Sequence, residues 1–101
     1  MSKALTTLKI GNDMYSIRTT DHSELRLKQR NIDEYIVISN ILSLGKERIQ
    51  ELQNQDKDIM VIDENNNVSI CFCFNGNKIT IITVIDKSDI FVKRNTIVEN
   101  L

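Results

Sequence analysis

The run Val68-Ser69-Ile70-Cys71-Phe72-Cys73-Phe74-Asn75-Gly76-Asn77-Lys78-Ile79-Thr80-Ile81-Ile82-Thr83-Val84-Ile85 alternates with a period of two on either side of an Asn-Gly pair. A period of two puts Val68, Ile70, Phe72 and Phe74 on one strand face and Ser69, Cys71 and Cys73 on the other. Asn75-Gly76 is the strongest short hairpin signal a sequence can carry, because both residues accept the positive φ of a primed turn. A two-residue loop centred there predicts Phe72 opposite Ile79, Ile70 opposite Ile81 and Val68 opposite Thr83. In that register Thr83 shares the core-facing side. The second strand is apolar on both faces from Ile79 to Ile85, which predicts that a helix covers one side of the sheet and a second chain the other.

Working outward, residues 58–63 form a strand joined to the hairpin by the turn Glu64-Asn65-Asn66-Asn67, and Ile90-Phe91-Val92 forms a further edge strand. The tail beyond it carries no clear signal. Upstream, Tyr35, Ile36, Val37, Ile38, Ile41, Leu42 and Leu44 are apolar around most of a helical circumference, which predicts a central buried helix ended by Gly45. Asp33 caps it and Glu34 sits in its first turn. The piece 46–54 fits a helix or a strand. An earlier helix runs from His22 to about Arg30, capped by Thr20 or Asp21, carrying a Glu24–Lys28 pair, and ended by Asn31 in a left-handed conformation. Residues 5–10 and 14–19 flank Gly11-Asn12-Asp13 as a short hairpin or a strand with a turn before it. The expected fold class is α+β: a single domain over 1–101 with two N-terminal helices packed on an antiparallel β-meander in two layers.

Composition narrows the function. The 101 residues are 41% hydrophobic and 27% charged with net charge −1, the profile of a globular chain. No apolar run reaches the ~20 residues that span a bilayer, and the start lacks a signal-peptide pattern, so no membrane partner and a cytoplasmic location are expected. Without a global positive field, contact with nucleic acid has to rest on a local cluster, which Arg18, Arg26, Lys28 and Arg30 supply. Cys71 and Cys73 lack zinc-ligand spacing and suit small buried apolar positions, so neither a metal nor a cofactor is expected.

The one histidine opens a stripe. His22, Arg26 and Arg30 lie four apart and share one helix edge. Two arginines at that spacing repel by a few tenths of a kcal/mol, so the stripe asks for an anion opposite it. Arg30 can meet Asp33, Glu34 or a strand carboxylate; Arg26 has no obvious local acid. The pattern His22-x-x-x-Arg26-x-x-x-Arg30-Asn31-Ile32, followed by an Asn-rich turn and the hairpin ending Ile81-Ile82-Thr83-Val84, resembles a family of small phage and bacterial domains related to RelE-like toxins and to RegB-type phage endoribonucleases. Asn31 stands where that family has glycine.

The resemblance implies a RelE-like two-layer fold and metal-independent RNA cleavage, in which the ribose 2′-hydroxyl attacks the adjacent phosphate and the 5′-oxygen leaves. His22 then serves as base or acid, and Arg26 and Arg30 grip phosphate oxygens. Arg18, Lys28 and Lys78 are the expected substrate-binding residues. Tyr15, Lys78 and Lys28 are the chemically suitable second proton carriers. Two readings compete with an endoribonuclease or RNA-processing factor. One is a non-catalytic phage or toxin-system protein that engages a host or antitoxin protein, or a nucleotide. The other is an accessory subunit that forms a homodimer through a strand edge.

Overall fold

The computed structural model describes residues 3–101. Among these the elements are β1 (Lys3–Ile10), β2 (Asp13–Thr19), α1 (Asp21–Gln29), α2 (Glu34–Ser43), α3 (Lys46–Gln53), β3 (Ile59–Asp63), β4 (Val68–Asn75), β5 (Lys78–Ile85) and β6 (Ile97–Asn100). They build one six-stranded sheet in the order β1-β2-β5-β4-β3-β6. The β3–β4–β5 segment is antiparallel, whereas β2 pairs with β5, and β6 with β3, in parallel.

This corrects the layout expected from the sequence. The chain is α+β, but it is not two N-terminal helices on an antiparallel meander. A full hairpin precedes the helices and joins the sheet through β2, the ambiguous stretch 46–54 supplies a third helix, and the tail adds a strand at the far edge. Strands β2 and β6 each lie parallel to a strand from which the chain has travelled away. Parallel neighbours need a long crossover, so no local periodicity announces them. Ile90-Phe91-Val92 is not a strand; the edge strand is Ile97–Asn100.

The helices begin and end where local chemistry dictates. Thr20 accepts from the Ser23 amide while Ser23 Oγ accepts from the Thr20 amide, closing a capping box on α1. Asn31, at φ 52°, turns the chain, and Asp33 caps α2 by accepting from the Tyr35 amide at 2.9 Å. Gly45 takes φ 86°, which allows α3 to start immediately in a new direction. Helix α2 is buried on one side only: Val37 and Ile41 are fully buried, while Tyr35 is 79% exposed and Leu42 is also exposed. The central, all-round burial expected of it is therefore wrong. Its length in contact with the sheet is shared with α1 and α3, whose Leu27, Ile49 and Leu52 complete the apolar layer.

One sheet face receives all of this. Tyr15 and Ile17 of β2, Ile79, Ile81 and Val84 of β5, Val68, Ile70 and Phe72 of β4, and Ile59 and Val61 of β3 are buried in a single cluster with the helices. Each such side chain contributes about 1.5–3 kcal/mol by leaving water. The hairpin register that produces this set differs from the sequence expectation. The turn is centred on Gly76-Asn77, with Gly76 at φ 60°, so Phe74 faces Ile79 and Phe72 faces Ile81. A glycine at the first central position is what a type II′ turn requires. The shift is by two residues, an even number, so the faces survive.

They survive only as far as Ile81. Phe72 faces Ile81 and Cys71 faces Thr83, which leaves Ile82 unpaired in a bulge. Beyond it Ile70 faces Val84. Val84 therefore enters the core, and Thr83 turns to the opposite face instead of sharing the core side.

That opposite face is covered in part by the chain itself. Residues 86–96 cross from the end of β5 to the start of β6: Ser69 Oγ donates to the Lys87 carbonyl at 2.6 Å, Asn67 Oδ1 accepts from the Ser88 amide, and the Ile97 amide donates to the Asp58 carbonyl. Beneath this strap Met60 and Cys71 are buried with no helix on their side. The cover expected from a second chain is thus provided, over β4 and β3, by the same chain.

Candidate nucleic-acid interface

The strap leaves the outer face of β1, β2 and β5 open. Strand alternation places Thr7 and Lys9 of β1, Ser16 and Arg18 of β2, and Lys78, Thr80 and Thr83 of β5 on this face. Register then aligns them in rows: Arg18 beside Thr80 beside Cys73, and Ser16 beside Lys78 beside Asn75. The strand positions on this half carry three cations and no carboxylate. Asp33, Glu34, Glu47 and Glu51 belong to α2 and α3 or their caps on the helix side, while Asp21 and Glu24 stand on α1 and Asp58 acts on Cys71 and Cys73 of β4. A chain of net charge −1 thereby presents one locally basic surface.

Helix α1 bounds this surface. Strand β2 stops pairing at Thr19–Ile81, and α1 then runs beside the remainder of β5. Its inner edge is the predicted stripe. His22 is exposed and its Nε2 lies 3.3 Å from Thr83 Oγ1, at the rim of the open face. The bulge at Ile82 is what points Thr83 toward it.

Arg30 ends the same stripe, and its Nη1 donates to the Val84 carbonyl at 2.5 Å. That carbonyl lies past the end of the β2–β5 ladder, so Arg30 supplies a donor where a longer β2 would have done so. Arg30 Nε also stands 3.8 Å from Asp86 Oδ1. Between these two, Arg26 Nη1 donates to Gln29 Oε1 at 3.0 Å and makes no ion pair among the described residues.

The six residues singled out from sequence therefore separate into groups. His22, Arg18 and Lys78 border or occupy one face. Arg26 stands beside them on α1 with a neutral partner. Arg30 is held by the sheet edge. Lys28 points away, 3.6 Å from Glu24 in the predicted surface pair.

The three residues considered as second proton carriers are not gathered at His22. Tyr15 is on the core face, 1% exposed, and donates to Gln53 Oε1 at 2.8 Å; burial, helped by Asp13, raises its pKa. Lys78 opens β5, at the opposite end of that strand from Thr83, and Lys28 faces outward on α1.

Cys71 and Cys73 lie on the outer face of β4, one under the strap and one at its margin. Burial, with a contribution from Asp58, pushes the Cys71 thiol up to about 11 against the pull of Lys93, and raises Cys73 as well. Both stay protonated at neutral pH, which suits packing and not nucleophilic chemistry. Among the described residues no three His, Cys, Asp or Glu side chains group as metal ligands, and no helix is long and apolar enough to cross a membrane. A half-open cleft of about 340 Å³ is on the helix side of the molecule, lined by Leu5, Thr6, Asp33, Glu34, Tyr35 and Ile38.

Lys9 and Thr83 also belong to this outer face, Phe91 lies on the strap that covers its β4–β3 neighbour, and none of the three was legible as such in the sequence. Lys9 and Thr83 depend on strand order and on the bulge. Phe91 sits in a stretch whose alternation resembles an edge strand, yet it is part of the strap and is 92% exposed.

Comparison of the chain with protein-family models, with curated proteins and with solved structures returned no match.

Proposed function

We propose that the protein is an RNA-binding domain of the RNA-processing kind, which holds a single strand on the open face of β1, β2 and β5. The observation that carries this reading is the convergence of Lys9, Arg18 and Lys78, from three strands, with His22 from α1, on one face without an opposing strand carboxylate. Threonine and serine hydroxyls lie between the cations and suit hydrogen bonds to phosphate and ribose. Binding without cleavage is the better-supported form. One member of the stripe, Arg30, is committed to the sheet edge, and none of Tyr15, Lys28 and Lys78 is gathered at the imidazole.

The test is fluorescence anisotropy with a labelled single-stranded RNA over a series of salt concentrations, with EDTA present. Binding should weaken with a slope of about −0.7 in log K against log salt for each phosphate neutralised. Lys78→Ala should reduce that slope by about one phosphate's worth, ~0.7. Lys78 is exposed, so the substitution leaves the fold unchanged. No binding at low salt, or equal salt slopes for wild type and Lys78→Ala, refutes the reading.

Metal-independent cleavage is the second reading, favoured by the exposure of His22 beside Thr83 at the rim of that face. Attack by a 2′-hydroxyl would leave a cyclic phosphate on one product and a free 5′-hydroxyl on the other. Their appearance with wild type and their absence with His22→Ala would support it; identical products from both proteins would dismiss it.

A further inference from the structure

We propose that Phe91 is a base-stacking residue of this surface; the inference rests on the RNA-binding reading above and assigns that site its one aromatic platform. The strap 86–96 is tied to the sheet through Lys87, Ser88 and Ile97; within it Ile90 and Val92 are half-buried and Phe91, between them, is exposed. A serine or lysine would satisfy that outward position, yet it holds a phenylalanine with 92% of its surface in water. Nothing in the fold uses the ring.

Its place is informative. Ser88 is tied to Asn67 at one end of β4, and Lys93 lies within electrostatic reach of Cys71, so Phe91 stands over the β4–β3 part of the outer face. The row Arg18–Thr80–Cys73 crosses from β2 to β4, so Arg18 stands two strands from β4 and three from β3, about 10–14 Å at ordinary strand spacing. Lys93 and Arg94 follow Phe91 by two and three residues and are exposed, as is Asp89 two residues before it. An exposed ring beside cations, across from a second set of cations, is the arrangement that grips a strand by its backbone and one base by its face. The other aromatic rings do not serve: Tyr15 and Phe72 are in the core, Phe74 packs edge-on to Phe72 at 5.7 Å, and Tyr35 belongs to α2 on the helix side.

The experiment uses two labelled probes of equal length, a 12-residue oligouridine and an abasic ribose-phosphate oligomer, against wild type, Phe91→Ala, Phe91→Trp and Lys78→Ala. Loss of one base–aromatic stack should weaken oligouridine binding by Phe91→Ala at least fivefold, leave binding of the abasic oligomer unchanged, and be restored by Phe91→Trp. The tryptophan should also be quenched on binding oligouridine. Equal affinity of wild type and Phe91→Ala for oligouridine, with Lys78→Ala weakened, overturns the stacking role and leaves the RNA reading intact. Equal weakening of both probes by Phe91→Ala also overturns it, because the ring would then act through the strap and not through a base. Wild type that binds neither probe overturns both.

Discussion

Replacing Asn40 by leucine should stabilise the protein. Asn40 lies in the middle of α2 with 3% of its surface exposed, and its Nδ2 is buried with no hydrogen-bond partner among the described residues. An amide donor stripped of water and left unpaired costs about 1–3 kcal/mol. Leucine has the same branching and the same number of side-chain heavy atoms, is the larger of the two by the bulk of its methyl groups, carries no polar atom, and is a better helix former by a few tenths of a kcal/mol. Its neighbours on α2, Val37 and Ile41, are fully buried and apolar, so the new side chain meets its own kind. With part of that offset by fitting the larger side chain, the net gain should be about 1 kcal/mol. This raises Tm by about 4–8 °C for a domain of this size. Urea unfolding followed by circular dichroism should show a higher midpoint with the same slope, since the surface exposed on unfolding is unchanged. Asn40→Asp, which would bury a carboxylate in the same place, should go the other way and by more. A lower midpoint for Asn40→Leu refutes the reasoning, because it would mean that the amide is making a bond that the leucine abolishes.

Three further outcomes follow from the same structure. The Cys71 thiol is held at about 11 in the folded protein against 9.0 for a free thiol, so its share of stability is complete below pH 9 and is lost as pH rises from 9 to 11; urea midpoints at pH 8 and pH 10.5 should diverge less in Cys71→Ala than in wild type. Gly11 has φ 64°, and a Cβ there would approach Lys46 Cε at 2.7 Å; the lysine can move but the backbone cannot, so Gly11→Ala should cost about 1 kcal/mol in chemical denaturation, and Gly11→Asn less. Arg48 holds β6 by donating from Nε and Nη2 to the two oxygens of Glu99, at 2.6 and 3.0 Å, and this pairing keeps its pKa above the ordinary arginine value; Glu99→Gln should speed amide exchange in β6 and leave α1 unaffected.

How much of the molecule could be read from the chain depends on the range of the force involved. Caps and turns act over three or four residues, and there the residues speak for themselves. Thr20 before α1, Asn31 after it, Asp33 before α2 and the Glu24–Lys28 pair all stand where their chemistry places them. The two-residue periodicity of 68–85 yields a hairpin with the correct apolar face. Its register is two residues off because Asn75-Gly76 and Gly76-Asn77 are both acceptable turn centres, and the folded hairpin uses the second, with Phe74 opposite Ile79.

The candidate site was half visible. A histidine and two arginines four apart are a property of the sequence, and so is their common edge on α1. What each of them meets is not: Arg30 finds the Val84 carbonyl and Asp86, 54 and 56 residues further along the chain, and His22 finds Thr83 only because an unpaired Ile82 rotates the end of β5. Lys9, Arg18 and Lys78 carry no shared pattern in sequence, and their meeting follows from the order β1-β2-β5.

Local backbone preference and hydrophobic alternation thus decided, from sequence alone, where α1, α2 and β3 to β5 lie and which face β4 buries, but not α3, β6 or the far end of β5. Strand order, parallel pairing, the bulge and the course of the strap were decided by the folded whole. Each of these exchanges one set of backbone hydrogen bonds for another at similar energy, and only the simultaneous burial of the core makes one arrangement win.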